Sequence, residues 1–210
     1  VACEGFTGQD AIKREQRTNP LRSKRVHQSS IKSCTIQLVD HIPETKSTYF
    51  VFTGGDDNAL GLSTVEISIL KSTGENDGCS VTASIDSLLI PNAHAGAITS
   101  AKVLSWSPMK MPDPQGGEPS ACNRFQLASV GADQRIKTWE AVIFPGRELQ
   151  SLNFRKIGDH FTSIADPACM SLYHDSSGNV SERAWGVICG IGLEIVHFGK
   201  YQKLESGFVS

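Results

Sequence analysis

Apolar residues recur along this chain with a period of two, in runs of four to eleven separated by polar stretches rich in glycine, proline, serine and aspartate. That pattern predicts β-strands joined by turns. In the first set, Ile31 to Val39 is an inner strand and Tyr49 to Phe52 a second. Thr53-Gly54-Gly55-Asp56-Asp57 makes a tight turn into Leu60 to Leu70, and Ser80 to Ile90 follows a polar loop as an outer strand. In the second set, Ile98 to Trp106 is an inner strand. Phe125 to Ala128 leads through a turn at Asp133-Gln134 to a strand ending in Trp139, which is continued by Ala141 to Phe144; Leu149 to Phe154 is the outer strand. The third set opens near Phe161, with an inner strand around Ala168 to Tyr173. Trp185 to Cys189 and Leu193 to Phe198 then form a hairpin through Gly190-Ile191-Gly192, and 201–210 is a last outer strand or a tail. The stretch 108–123 has no periodicity and reads as a mobile surface loop. The division expected is a basic polar connection or preceding outer strand over 1–26, then units over 27–90, 91–156 and 157–210, all of them β.

With 210 residues, 39% of them hydrophobic, the chain is long enough for one sizeable core. A net charge of −2 implies no global attraction to nucleic acid or membrane, and no run of about 18 apolar residues exists to span a bilayer. The six cysteines are scattered, with no C-x-x-C pair, which argues for a reducing compartment and against a zinc site or a disulfide scaffold. The expected location is cytoplasmic. The first residue is Val1, and the segment after it lacks the apolar core of a signal peptide.

Four polar or amphipathic residues of the second unit fit together chemically. Asp133 can accept N–H bonds inside its own turn and bond a histidine one strand away. Ser129 can bridge that histidine to the indole N–H of Trp139, and His94 stands in the loop leading into the same unit. The first unit has the same set in His27, Thr53 and Asp57, with Ser63 where the tryptophan would be, and the third has neither an aspartate at its turn nor a closing tryptophan. His94, Ser129 and Asp133 also invite comparison with a hydrolase triad, but Ser129 lies at a strand end rather than on an exposed elbow, and a buried structural network accounts for all four residues. Gly190-Ile191-Gly192 lacks the third glycine of a dinucleotide turn, position 195 being isoleucine. His41, His160, His174 and His197 show no metal-ligand spacing. No catalytic, cofactor-binding or metal site is expected.

His94…Ser129-x-x-x-Asp133…Trp139 and His27…Thr53-x-x-x-Asp57 resemble the WD-repeat β-propeller family, whose repeat of about 40–45 residues is one four-stranded blade. The resemblance implies about three blades. A complete propeller needs four to eight, so the others are expected upstream of Val1, the alternative being an arc completed by a partner. The C-terminal runs DQRIKTW, SIADPACMSL and WGVICGIGLEIVHF are similar to one WD-repeat subfamily, the non-catalytic subunits of the tRNA wobble-nucleotide 2′-O-ribose methyltransferase. The matching positions are Ser163, Ile164, Ala165 and Asp166, then Gly190, Gly192, Leu193 and Glu194. This resemblance implies a scaffold that binds an FtsJ-type methyltransferase and helps present tRNA to it, with S-adenosylmethionine held by the partner. The other reading is a protein–protein scaffold without RNA, such as a ubiquitin-ligase substrate receptor or a trafficking adaptor. Candidate partner or RNA contacts are Arg135 and Lys137 beside the turn, and Lys13, Arg14, Arg17, Arg22, Lys24 and Arg25 in the basic stretch, which otherwise reads as a solvated connection.

Overall fold

The computed structural model describes residues 21–71, 79–111, 120–145, 148–149, 152–174, 183–199 and 204–207, among which there is no α-helix. The protein is all-β, and its described residues form three antiparallel sheets. The first has the order β1 (Ile31–Ile42), β2 (Lys46–Gly55), β3 (Leu60–Lys71), β4 (Cys79–Ile90). The second has β5 (Ile98–Met111), β6 (Ser120–Gly131), β7 (Arg135–Ile143), β8 (Asn153–Phe161). The third has the order β11 (Leu204–Gly207), β10 (Arg183–Gly199), β9 (Ala165–His174).

The long run β10 folds back on itself. Trp185 and His197 are twelve residues apart, which is roughly 40 Å in an extended strand, yet their ring centroids lie 4.4 Å apart. β9 pairs only with 184–191 and β11 only with 195–198. The bend falls at Gly190-Ile191-Gly192, where Gly192 has φ +129°, so the third sheet also offers four strand segments.

Alternation sends the two halves of each strand's side chains to opposite faces, and the sheets stack through those faces. Phe50, Phe52, Leu60 and Leu62 of the first sheet pack against Phe125, Leu127, Trp139 and Ala141 of the second. The opposite face of the second sheet, with Ala128, Val130 and Ile136, packs against Met170, Ile188, Val196 and Phe198 of the third. Each junction is therefore made head to tail. The first strands of the sheets lie side by side and are tied by hydroxyls. Thr35 Oγ1 donates to the Ala101 carbonyl at 2.7 Å and Ser33 Oγ accepts from the Ala101 N–H at 2.8 Å, while Thr99 Oγ1 donates to the Pro167 carbonyl at 2.7 Å.

Three sequence expectations shift. Both ends of the stretch 108–123 are strand rather than loop: the β5–β6 ladder continues through Pro108↔Asn123 to Met111↔Ser120, and 112–119 lie outside the described residues. β5 is the edge strand of its sheet, so Pro108 costs less there than in a central strand. Cys122, Val142 and Phe144 bury the end of this hairpin, with Met109 and Met111 packed on them. The outer strand of the second sheet is Asn153–Phe161 rather than Leu149 to Phe154, so that sheet runs past position 156. Leu149 is buried by packing into the core between the first two sheets, without joining a strand.

Candidate functional site

The residues singled out in the second unit converge. His94 Nδ1 lies 2.9 Å from Asp133 Oδ1, His94 Nε2 lies 2.8 Å from Ser129 Oγ, and Trp139 Nε1 donates to Ser129 Oγ at 2.8 Å. The turn that places Asp133 is closed by Gln134 N–H donating to the Gly131 carbonyl, with Gln134 left-handed at φ 58°. Asp133 also accepts from the backbone N–H of Ala95 at 2.8 Å and of Arg135 at 3.2 Å, so one carboxylate ties the hairpin turn to the loop before β5. Gly131 is required: a Cβ there would stand 2.5 Å from His94 Nδ1 and 2.6 Å from Asp133 Oδ1.

Protonation follows from the partners. An ionised carboxylate only accepts, so His94 Nδ1 carries the hydrogen and Nε2 accepts from the Ser129 hydroxyl. Burial pushes the His94 pKa below its ordinary value, against the bond and charge of Asp133, which keeps the ring neutral. Burial acts to raise the Asp133 pKa, but the His94 bond and the Ala95 and Arg135 N–H groups outweigh it and the carboxyl sits below its usual range.

The first sheet repeats the arrangement. His27 Nδ1 is 2.9 Å from Asp57 Oδ1, and His27 Nε2 is 2.8 Å from Thr53 Oγ1. Asp57 accepts from the Gln28 N–H at 2.8 Å and the Ala59 N–H at 3.3 Å. With no indole N–H to accept from, Thr53 gives its one hydroxyl hydrogen to His27 Nε2 and leaves the Gly61 carbonyl at 3.3 Å as a weak second contact, and Ser63 bonds Ser87 at 3.0 Å instead.

The third sheet holds its loop differently. Phe198, whose ring lies against Gly186, packs in the apolar cluster between the second and third sheets, where apolar contact rather than a histidine–hydroxyl–aspartate chain fills the interior among the described residues. The anchoring carboxylate is Glu194, which is buried and accepts from Thr162 Oγ1 at 2.5 Å, Ser163 N at 2.8 Å and Ser163 Oγ at 3.1 Å. Gly190 packs on the same segment: a Cβ there would collide with the Asp166 carbonyl oxygen. The sequence reading of Asp133-type anchors passes over Glu194, because a longer side chain reaches the loop from beyond the bend. It also passes over Glu140, 7% exposed, which is clamped by Arg124 and Arg155 from β6 and β8. That cluster follows from opposite charges on neighbouring rungs once register is known.

Chemically, the His–Ser–Asp chain is closed. Ser129 is wholly buried and its oxygen is shared by His94 and Trp139, so no substrate carbonyl can reach it. Among the described residues no group of histidine, cysteine, aspartate and glutamate side chains is arranged to hold a metal ion. Among the described residues, no helix is long and apolar enough to cross a membrane.

The basic candidates divide. Lys13, Arg14 and Arg17 lie outside the described residues. Arg22 is exposed. Lys24 Nζ sits 3.6 Å from Asp86, and Arg25 donates to the carbonyls of His27 and Gln28. Arg135 pairs with Asp159 at 3.0 Å and lies 4.1 Å over the Phe161 ring, while Lys137 Nζ donates to the Ala93 carbonyl at 2.7 Å. Arg135 and Lys137 thus brace the second sheet and its entry loop.

These features define a class: an all-β protein of antiparallel sheets stacked head to tail, two of them locked by the same buried histidine–hydroxyl–aspartate chain. No protein-family model matches the chain, and no curated protein matches it either.

Proposed function

We propose that the three sheets are blades of a WD-repeat β-propeller, and that the protein is a non-catalytic, cytoplasmic positioning subunit. It holds an FtsJ-type methyltransferase and helps present tRNA for 2′-O-ribose methylation of the wobble nucleotide. The blade part rests on the repeated lock, His27–Thr53–Asp57 and His94–Ser129–Asp133–Trp139, set at the same turn of successive sheets. The subfamily part is carried by one contact. The two segments through which the resemblance runs, Ser163–Asp166 and Gly190–Glu194, meet where Glu194 accepts from Ser163. A rigid scaffold of this kind fixes enzyme and RNA in one relative geometry, raising their effective concentration without doing chemistry itself. Deleting the gene should abolish wobble-ribose methylation in tRNA read by mass spectrometry; unchanged methylation in every tRNA would sink the reading.

One observation favours the protein–protein scaffold without RNA. Lys24, Arg25, Arg135 and Lys137 all have partners within the chain, which leaves them less available to phosphates. Salt separates the two readings. Contact with the tRNA backbone predicts binding that falls steeply between about 50 and 200 mM salt, whereas a scaffold with no RNA role shows no tRNA binding to titrate.

A further inference from the structure

Away from the histidine locks, residues of the first and second sheets line a cleft of about 760 Å³, within the ~300–1,000 Å³ usual for ligand sites. Its two walls differ in chemistry. On the first sheet, the register places Asp40, Thr48, Glu66 and Ser84 on one rung across all four strands, and Thr64 beside Asp86 on another. The second sheet supplies an apolar wall that includes Met109, Cys122 and Ile143. At the base, the rings of Phe50 and Phe125 stack at 4.3 Å.

The acidic wall already receives lysines from the chain, and capacity remains. Lys46 takes Glu66 Oε1 at 2.9 Å, and Lys24 stands 3.6 Å from Asp86 Oδ1. Asp40 is exposed and has no ion-pair partner among the described residues. Asp86 also accepts from the Leu149 N–H at 2.8 Å, and that bond, ahead of opposing burial, holds its carboxyl below the ordinary range.

We propose that this cleft is a docking site for a peptide segment of a partner protein that carries arginine beside a bulky apolar residue. The guanidinium would meet the carboxylates of Asp40 and Glu66, and the alkyl stem and its apolar neighbour would lie on the Met109 and Ile143 wall. A nucleic acid strand is the wrong occupant, because its phosphates would face three carboxylates. The site goes beyond the proposed function and does not depend on which partner that function requires.

The test is fluorescence anisotropy with a fluorescein-labelled Gly-Arg-Leu-Arg-Gly peptide and a Gly-Glu-Leu-Glu-Gly control on the whole protein. The arginine peptide should bind and the glutamate peptide should not. Asp40→Asn combined with Glu66→Gln should weaken binding about fivefold or more, the scale of two partly exposed charge contacts. Ala121→Trp, at an exposed position on the cleft's edge, should block the cleft sterically with no change of charge. Equal binding of both peptides, wild-type affinity in both variants, or no binding of the arginine peptide at ~1 mM would each overturn the proposal.

Discussion

Ser129→Ala is the sharpest probe of the buried chain. The hydroxyl is wholly buried and serves two partners at 2.8 Å, donating to His94 Nε2 and accepting from the Trp139 indole. The substitution removes one atom and little volume, so the loss of packing is small. What remains is an acceptor nitrogen and a donor N–H, both aimed at the place the one hydroxyl oxygen held. Leaving a buried polar group unsatisfied costs about 1–3 kcal/mol, so two cost about 2–6 kcal/mol, a large part of the ~5–15 kcal/mol by which a domain is stable. Thr53→Val in the first sheet orphans the His27 nitrogen at 2.8 Å, while the Gly61 carbonyl loses only a 3.3 Å bond. Its cost should be nearer to ~1–3 kcal/mol. Urea unfolding gives both values from the midpoint at constant slope. A double-mutant cycle adds the decisive comparison, because Trp139→Phe should cost less in the Ser129→Ala background, where the indole N–H is already orphaned. A Ser129→Ala cost below ~0.5 kcal/mol, the size of an ordinary surface change, would refute the reasoning, as would an equal Trp139→Phe cost in both backgrounds.

Acid should act on the same chain. The folded His94 pKa is lowered by burial, so its contribution is fully present above the ordinary histidine value near ~6.5 and is lost as pH falls below it. Asp133 and Asp57, also lowered, add a second loss below about pH 4; thermal melts from pH 8 to 4 should show the first decline, and a flat profile down to pH 5 would contradict the neutral-histidine assignment. Glu194→Ala leaves Thr162 and Ser163 without their common acceptor and should cost about 2–4 kcal/mol, with Glu194→Gln retaining roughly half because its amide oxygen still accepts. Amide hydrogen exchange should place that loss at the entry to β9 and leave β6 and β7 protected. Gly131→Ala drives a methyl into His94 and Asp133 and should cost about 1–3 kcal/mol by overpacking, measured by the same urea melts.

How much of this was legible in the sequence depends on whether a feature announces itself through local chemistry or only through register. Asp133 and Ser129 sit four residues apart around a tight turn, and each of the four roles in the lock needs a distinct residue type, so the set could be read off and all its predicted contacts form. The third sheet was harder because Phe198 and Ile188 hold it by apolar packing, whereas the second sheet is held by hydrogen bonds of Trp139 and Ser129, and apolar contact leaves no required partner or spacing behind it. Leu149 misled for a related reason: burial by packing looks, in sequence, like burial in a strand. Pro108 and the glycines after it suggested a loop, although an edge strand accepts a proline without losing a shared hydrogen bond. The acidic wall of the cleft was invisible at every level of pattern. Asp40, Glu66 and Asp86 are far apart in the chain, and only the strand pairing brings Asp40, Thr48 and Glu66 into one line. A shift of one residue in either ladder would send a carboxylate to the opposite face. The wall is therefore a property of register, and exchanging Thr48 for another small polar residue should preserve it, while any change that slips the β1–β2 bulge between Leu38 and Asp40 should abolish it.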